Sequence, residues 1–146
     1  MRSVKTSMRS FRTMTAVLLL LGVAVGARAA GDAKDPESTP QAKAYRTLLK
    51  SIETGDYEAY KKSMIASAGK ELDAQIKSAG KSPKETMAFL KKMVPTGVKI
   101  TSLKVDGKKA TLEVTGKRGT EALSGTVDLA EENGEWKVNE QAWMSK

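Results

Sequence analysis

The chain has 146 residues, 25 of them basic and 17 acidic, with no histidine, no cysteine and four prolines. That length suits one compact domain and is too short for two separate cores. The absence of Cys excludes disulfides, thiolate metal sites, thiol nucleophiles and a lipid-modified cysteine, and the absence of His removes the commonest general base and metal ligand.

Arg2, Lys5, Arg9 and Arg12 form a cationic head, followed by the apolar run Ala16–Val25 and the small residues Gly26, Ala27, Ala29 and Ala30. This is the three-part layout of a secretory signal, with cleavage expected after Ala29. The apolar run is about half of the ~20 residues that a membrane-spanning helix needs, so the mature chain is expected to carry no membrane span. Removing residues 1–29 takes away five basic residues and no acid, so 20 basic residues stand against 17 acidic ones, a net charge of +3. A mixed-sign surface with that balance is no nucleic-acid footprint, and the pairs Lys61-Lys62, Lys91-Lys92, Lys108-Lys109 and Lys117-Arg118 are scattered along the chain. Export to the periplasm or the extracellular space is the expected address.

Residues 30–39 are polar, carry Pro36 and read as a flexible leader, with a single domain over 40–146. Thr39-Pro40 offers an N-cap with proline at the first helical position. Ala42, Tyr45, Leu48, Leu49 and Ile52 then recur at spacings of three and four, the stripe of an amphipathic helix. Gly55 can close that helix and Asp56 can cap the next, whose stripe is Tyr57, Tyr60, Met64 and Ile65. A weaker helix covers Ser67–Gly80, with Leu72, Ile76 and Ala79 on one face. Ser82-Pro83-Lys84-Glu85 fits a capping box, and Met87, Leu90, Met93 and Val94 supply the stripe behind it until Pro95 and Gly97 end the helix.

At Val98 the period changes from about 3.6 to 2. Val98 and Ile100 alternate, the phase slips near Thr101-Ser102 as at a β-bulge, and Leu103 and Val105 continue. Asp106-Gly107 and Asn133-Gly134 are hairpin signals, and Gly116–Gly119 reads as a loop. Ala110, Leu112 and Val114 mark the second strand, and Leu123, Gly125, Val127 and Leu129 the third. Trp136 and Val138 begin the fourth. Helices followed by an antiparallel four-stranded meander predict an α+β fold, with the N-terminal helices packed on one face of the sheet.

Helix, Gly55-Asp56-Tyr57, a second helix, and a meander that turns at Asp106-Gly107 and ends in Gly134-Glu135-Trp136-Lys137-Val138 resemble the nuclear-transport-factor-2-like superfamily (cystatin-like, SnoaL-like). The nearest likeness is to its small exported bacterial members described as lumazine-binding-like or as domains of unknown function. The resemblance covers about residues 40–146 and implies a curved sheet wrapped around helices, a cone whose open end can hold a ligand. Isomerases, dehydratases and binding proteins share that fold, so the fold alone selects no activity.

The chemistry of the residues points away from catalysis. Asp73, Asp106, Glu113 and Asp128 are the carboxylates near the helices and strands, and each is expected off the apolar face or in a turn, where no useful pKa shift arises. Tyr45, Tyr57, Tyr60, Trp136 and Trp143 could line a cone mouth, and of these Tyr45, Tyr60, Trp136 and Trp143 are the ligand-binding candidates. Core packing is the competing reading, above all for Tyr45 and Trp136, while Trp143 is out of phase with Trp136 unless the strand bulges. No metal-binding or phosphate-binding spacing occurs, and no cofactor is expected. The methionines at 64, 87, 93 and 144 read as packing residues. The leading expectation is therefore a non-catalytic envelope module that binds a small molecule or a protein. The alternatives are a SnoaL-like lyase or isomerase using a pocket carboxylate or Tyr, and a homodimer formed through the exposed sheet face.

Overall fold

A computed structural model describes residues 35–146. The signal segment 1–29, with its cleavage position Ala29, and residues 30–34 of the leader lie outside the described residues. A 3-10 turn (Pro36–Ser38) leads into α1 (Pro40–Thr54), α2 (Tyr57–Lys62), α3 (Ala66–Ser78) and α4 (Pro83–Met93), followed by β1 (Thr96–Asp106), β2 (Lys109–Arg118), β3 (Glu121–Glu132) and β4 (Glu135–Ser145). The strands form one curved antiparallel sheet in the order β1-β2-β3-β4, with the helices on one face, as the periodicities predict.

Local chemistry sets the helix ends. The Thr39 hydroxyl accepts the Ala42 N–H, the Asp56 carboxylate accepts the Ala59 N–H, and Ser82 and Glu85 exchange both bonds of a capping box. Gly55 closes α1 with φ +74, a left-handed conformation that glycine adopts without strain.

The leader is ordered sooner than its composition suggests. Glu37 takes the Arg46 guanidinium in a two-pronged ion pair, with Nε at 3.0 Å, and also accepts the Ile100 N–H at 3.1 Å. That N–H is unpaired within the sheet because it faces away from β2 on an edge strand, so the carboxylate satisfies it and covers the edge. The opposite edge is covered by residues 63–65. Val138 N–H donates to the Ser63 carbonyl and Ile65 N–H to the Val138 carbonyl, both at 2.9 Å. This corrects the expected reach of the second helix. Met64 forms a β-bridge with Val138, and Ile65 is the extended residue before α3, because pairing with the open edge satisfies more backbone than another helical turn would.

Two further boundaries move. β1 starts at Thr96, and β2 runs on to Arg118, leaving Gly119-Thr120 as the turn in place of a loop over Gly116–Gly119. Extension of both strands lets Gly116 and Lys117 keep their ladder partners Leu123 and Ala122. The phase slip expected near Thr101-Ser102 is a register shift between Ile100 and Ser102. A second shift sits where Asp128 pairs Glu140 but Leu129 pairs Val138, so Asn139 is the extra residue. That bulge puts Trp143 on the same inner face as Trp136 and Val138.

The core lies between α1 and the sheet. Tyr45, Leu48 and Ile52 from α1 pack with Tyr60 and Met87 and with Ile100, Leu112, Val114, Val127, Leu129 and Val138 from all four strands. Each apolar strand position identified by alternation over β2 and β3 (Ala110, Leu112, Val114, Leu123, Val127, Leu129) is buried.

Candidate functional site

The four aromatic candidates do not share a pocket. Tyr45 has 0% exposure, its ring sits in the core, and its hydroxyl donates to Gln141 Oε1 at 3.2 Å. Burial pushes its phenol pKa up, so the group stays neutral. Tyr60 is also buried, with its pKa raised for the same reason. Trp136 is half-buried and lines a groove of about 330 Å³ between the first two helices and the start of β4, beside Lys62 and Lys137. Trp143 is half-buried further along β4, where its indole lies over Gly125 of β3. Tyr45 and Tyr60 are thus packed into the core between the helices and the sheet, where the resemblance implies an open cone.

The carboxylates lie where their phase puts them. Glu113 and Asp128 are exposed on the outer sheet face, with Asp128 accepting the Thr111 hydroxyl at 2.7 Å. Asp73 is exposed on α3, accepts the Tyr57 hydroxyl at 2.5 Å and pairs with Lys61 at 2.9 Å. The Tyr57 and Lys61 bonds hold the Asp73 carboxyl below the usual range, which keeps it ionised. Among the described residues the buried polar side chains outside the tyrosines are Gln41, Ser51 and Ser63, none of them a carboxylate. No group of three or more Asp and Glu able to hold a metal occurs among the described residues.

Another concavity lies elsewhere, a cleft of about 520 Å³ between α1, the end of α4 and the first residues of β1. Its size falls in the range of small-molecule sites, roughly 300–1,000 Å³. Leu49 and Ile52 of α1, Val94 after α4 and Val98 of β1 give it apolar walls. Arg46 and Lys50, one helical turn apart on α1, and Lys91 on α4 bring cations to its rim, and Glu53 brings one carboxylate. Lys91 donates to the Glu53 carbonyl at 2.9 Å, tying α4 to the C-terminal end of α1 where the helix dipole favours a cation. Glu37 fixes Arg46 through Nε and Nη2, and neither bond uses Nη1. The guanidinium is therefore held in one orientation with donor capacity left over.

Sequence reasoning missed this cleft. Arg46, Lys50 and Glu53 occur at helical spacing on the flank of α1, with no motif to single them out. Glu37 stands in a polar segment without a large apolar residue.

The Arg46 hydrogen bond, opposed by burial and helped by the Ile100 N–H, holds the Glu37 carboxyl below its ordinary pKa. A lowered folded-state pKa contributes stability above the unfolded value, near 4.3, that is lost as pH falls through the folded value. Because the two side chains are 40% and 36% exposed, solvent screens the pair and its contribution is at most about 1 kcal/mol. Glu37→Gln is accordingly expected to melt a few degrees below the parent at neutral pH, with the gap closing in acid. A gap that stays constant in thermal melts from neutral pH into acid would contradict this assignment.

An α+β fold in which helices pack on one face of a curved four-stranded meander is the class that these elements define. No family model matches the chain and no curated protein matches it. Solved structures similar to it include an NTF2-like protein of unknown function from Silicibacter pomeroyi DSS-3, with 13% identity over 71% of this chain and 91% of that one and a TM-score of 0.47. A de novo designed protein with a curved β-sheet is similar at 15% identity, 69% and 92% coverage and a TM-score of 0.41. A designed NTF2 variant is similar at 16% identity, 70% and 94% coverage and a TM-score of 0.44. The first and third bear the family name of the resemblance read from the sequence, and the fold itself rests on the strand order and the helix packing described above.

Proposed function

We propose that this chain is an exported, non-catalytic binding module of the bacterial envelope, and that it takes a small amphipathic anion into the cleft between α1, α4 and β1. The observation that carries this reading is the cleft itself, with apolar walls for a ligand body and the clamped Arg46 beside Lys50 for an anionic group. Export rests on the cationic head, apolar run and small residues of segment 1–29. A SnoaL-like lyase or isomerase reading would need a carboxylate held in a dry pocket, and the carboxylates above are exposed or paired.

A medium-chain carboxylate such as decanoate, titrated calorimetrically, is expected to bind the parent protein and to bind Lys50→Glu at least about tenfold more weakly, since a charge-assisted contact is worth about 1.5–3 kcal/mol. Decanol is expected to bind more weakly than decanoate. Absence of decanoate binding, or equal affinity in Lys50→Glu, would overturn the assignment.

A second reading, pairing of two copies through the outer sheet face, draws on the side chains there. Thr111, Glu113, Thr115, Thr126 and Asp128 share that face with the exposed Ala142, and most are small enough for a close approach of two sheets. Sedimentation velocity over a wide concentration range tests it, and a monomer at every concentration would remove it.

A further inference from the structure

The outer side of α4 carries two large apolar side chains that the described residues leave exposed. Phe89 is 56% exposed and Met93 44%, and they stand one helical turn apart as an i, i+4 pair. Around them the chain is basic. Lys84, Lys91 and Lys92 lie on α4 and are exposed, and the Lys81 ammonium stands 5.7 Å from the centre of the Phe89 ring. Arg118, at the end of β2, donates to the Met93 carbonyl at 3.0 Å and brings a further cation to the same end of the helix. The ion pairs among the described residues involve Arg46, Lys61 and Lys137, so none of these cations is neutralised by one. Glu85 is the single acid of α4, and both its bonds go back to Ser82 in the capping box.

We infer that α4 is a peripheral membrane-docking helix, laying Phe89 and Met93 into an anionic phospholipid surface while Lys81, Lys84, Lys92 and Arg118 meet the headgroups. An apolar pair rimmed by lysines is the pattern of helices that lie in a bilayer interface. Size argues for lipid over a protein partner. An 11-residue helix is about 16 Å long and ~10 Å wide, so its outer side offers on the order of 160 Å². A stable protein interface needs about 800 Å² per partner. Interfacial binding has no such threshold, because each apolar side chain and each cation contributes separately. No described helix is long and apolar enough to cross a membrane, so docking at the surface is the form this contact takes. The inference is independent of the cleft, because Phe89 and Met93 lie outside its lining.

Co-sedimentation of the full chain with vesicles tests it, using phosphatidylcholine alone and two parts phosphatidylcholine to one part phosphatidylglycerol. Because all variants share residues 1–34, differences between variants report on the substituted positions. Binding to the anionic vesicles is expected to fall about tenfold or more in Lys84→Glu/Lys92→Glu and likewise in Phe89→Ser/Met93→Ser. Lys104→Glu/Lys109→Glu makes the same charge change on the sheet and is expected to bind like the parent. Amide exchange across residues 83–93 is expected to slow on the anionic vesicles. If the sheet variant loses as much binding as the α4 charge variant, overall charge is responsible and the inference falls. It also falls if neither α4 variant weakens binding, or if the parent ignores anionic vesicles, which would leave the patch to an acidic protein partner.

Discussion

Tyr45→Ala is expected to lower the unfolding free energy by about 3–5 kcal/mol, the range for deleting a fully buried aromatic ring. With total stabilities of about 5–15 kcal/mol for single domains, that loss is a large share of the whole. The ring packs where α1 meets the sheet, and its hydroxyl reaches Gln141 on β4. Removing the ring leaves a cavity between layers that rigid strands cannot close, and it strands the Gln141 amide oxygen as well. Tyr45→Phe keeps the ring and loses only the bond, so about 1 kcal/mol is expected. Urea titration followed by tryptophan fluorescence compares the two variants. Equal costs would mean that the hydroxyl matters more than the ring, against the packing seen here.

The second large effect is at Gly125. An added Cβ there would run into the Ala142 carbonyl oxygen and come within 3.0 Å of Cδ2 and Cε3 of the Trp143 indole. In a strand interior alanine is ordinarily the better residue than glycine, by roughly 0.5–1 kcal/mol. Here the sign reverses, and Gly125→Ala is expected to cost about 1–3 kcal/mol, the range for overpacking a filled site. Trp143→Ala in the same chain removes one of the two obstacles, so Gly125→Ala should cost less in that background, although the carbonyl remains. A double-mutant cycle by denaturant unfolding measures this coupling, and additive costs would show that the indole does not rest on Gly125.

These two sites also explain why the ligand-binding candidates separate. A ring with a polar handle serves a cone mouth or a core, and the phase that Tyr45 shares with Leu48 and Leu49 favours the core, where the structure places it. Its hydroxyl found a partner 96 residues away, at Gln141, and a long-range pairing of that kind leaves no local trace. Trp143 fell out of phase with Trp136 until Asn139 was added as a bulge residue, and the need for that bulge arises only when β4 is laid against β3. The small residue that accepts the indole, Gly125, read in the sequence as an ordinary member of an alternating strand.

Local chemistry determined most of the architecture: the caps at Thr39, Asp56 and Ser82, the stripes of α1 and α4, the change of period near Val98, and the turns at Gly107 and Asn133-Gly134. Each depends on residues within a few positions of one another, where sterics and hydrogen-bond reach act directly. Tertiary structure alone decided how the sheet edges are covered, by Glu37 at Ile100 and by residues 63–65 at Val138, because an unpaired strand edge has no partner until the whole meander is assembled. It also decided that Tyr45 and Tyr60 are packed into the core while a cleft opens between α1, α4 and β1. Cavities are set by how surfaces fail to meet, and the flank of a helix does not encode which neighbour will stand beside it.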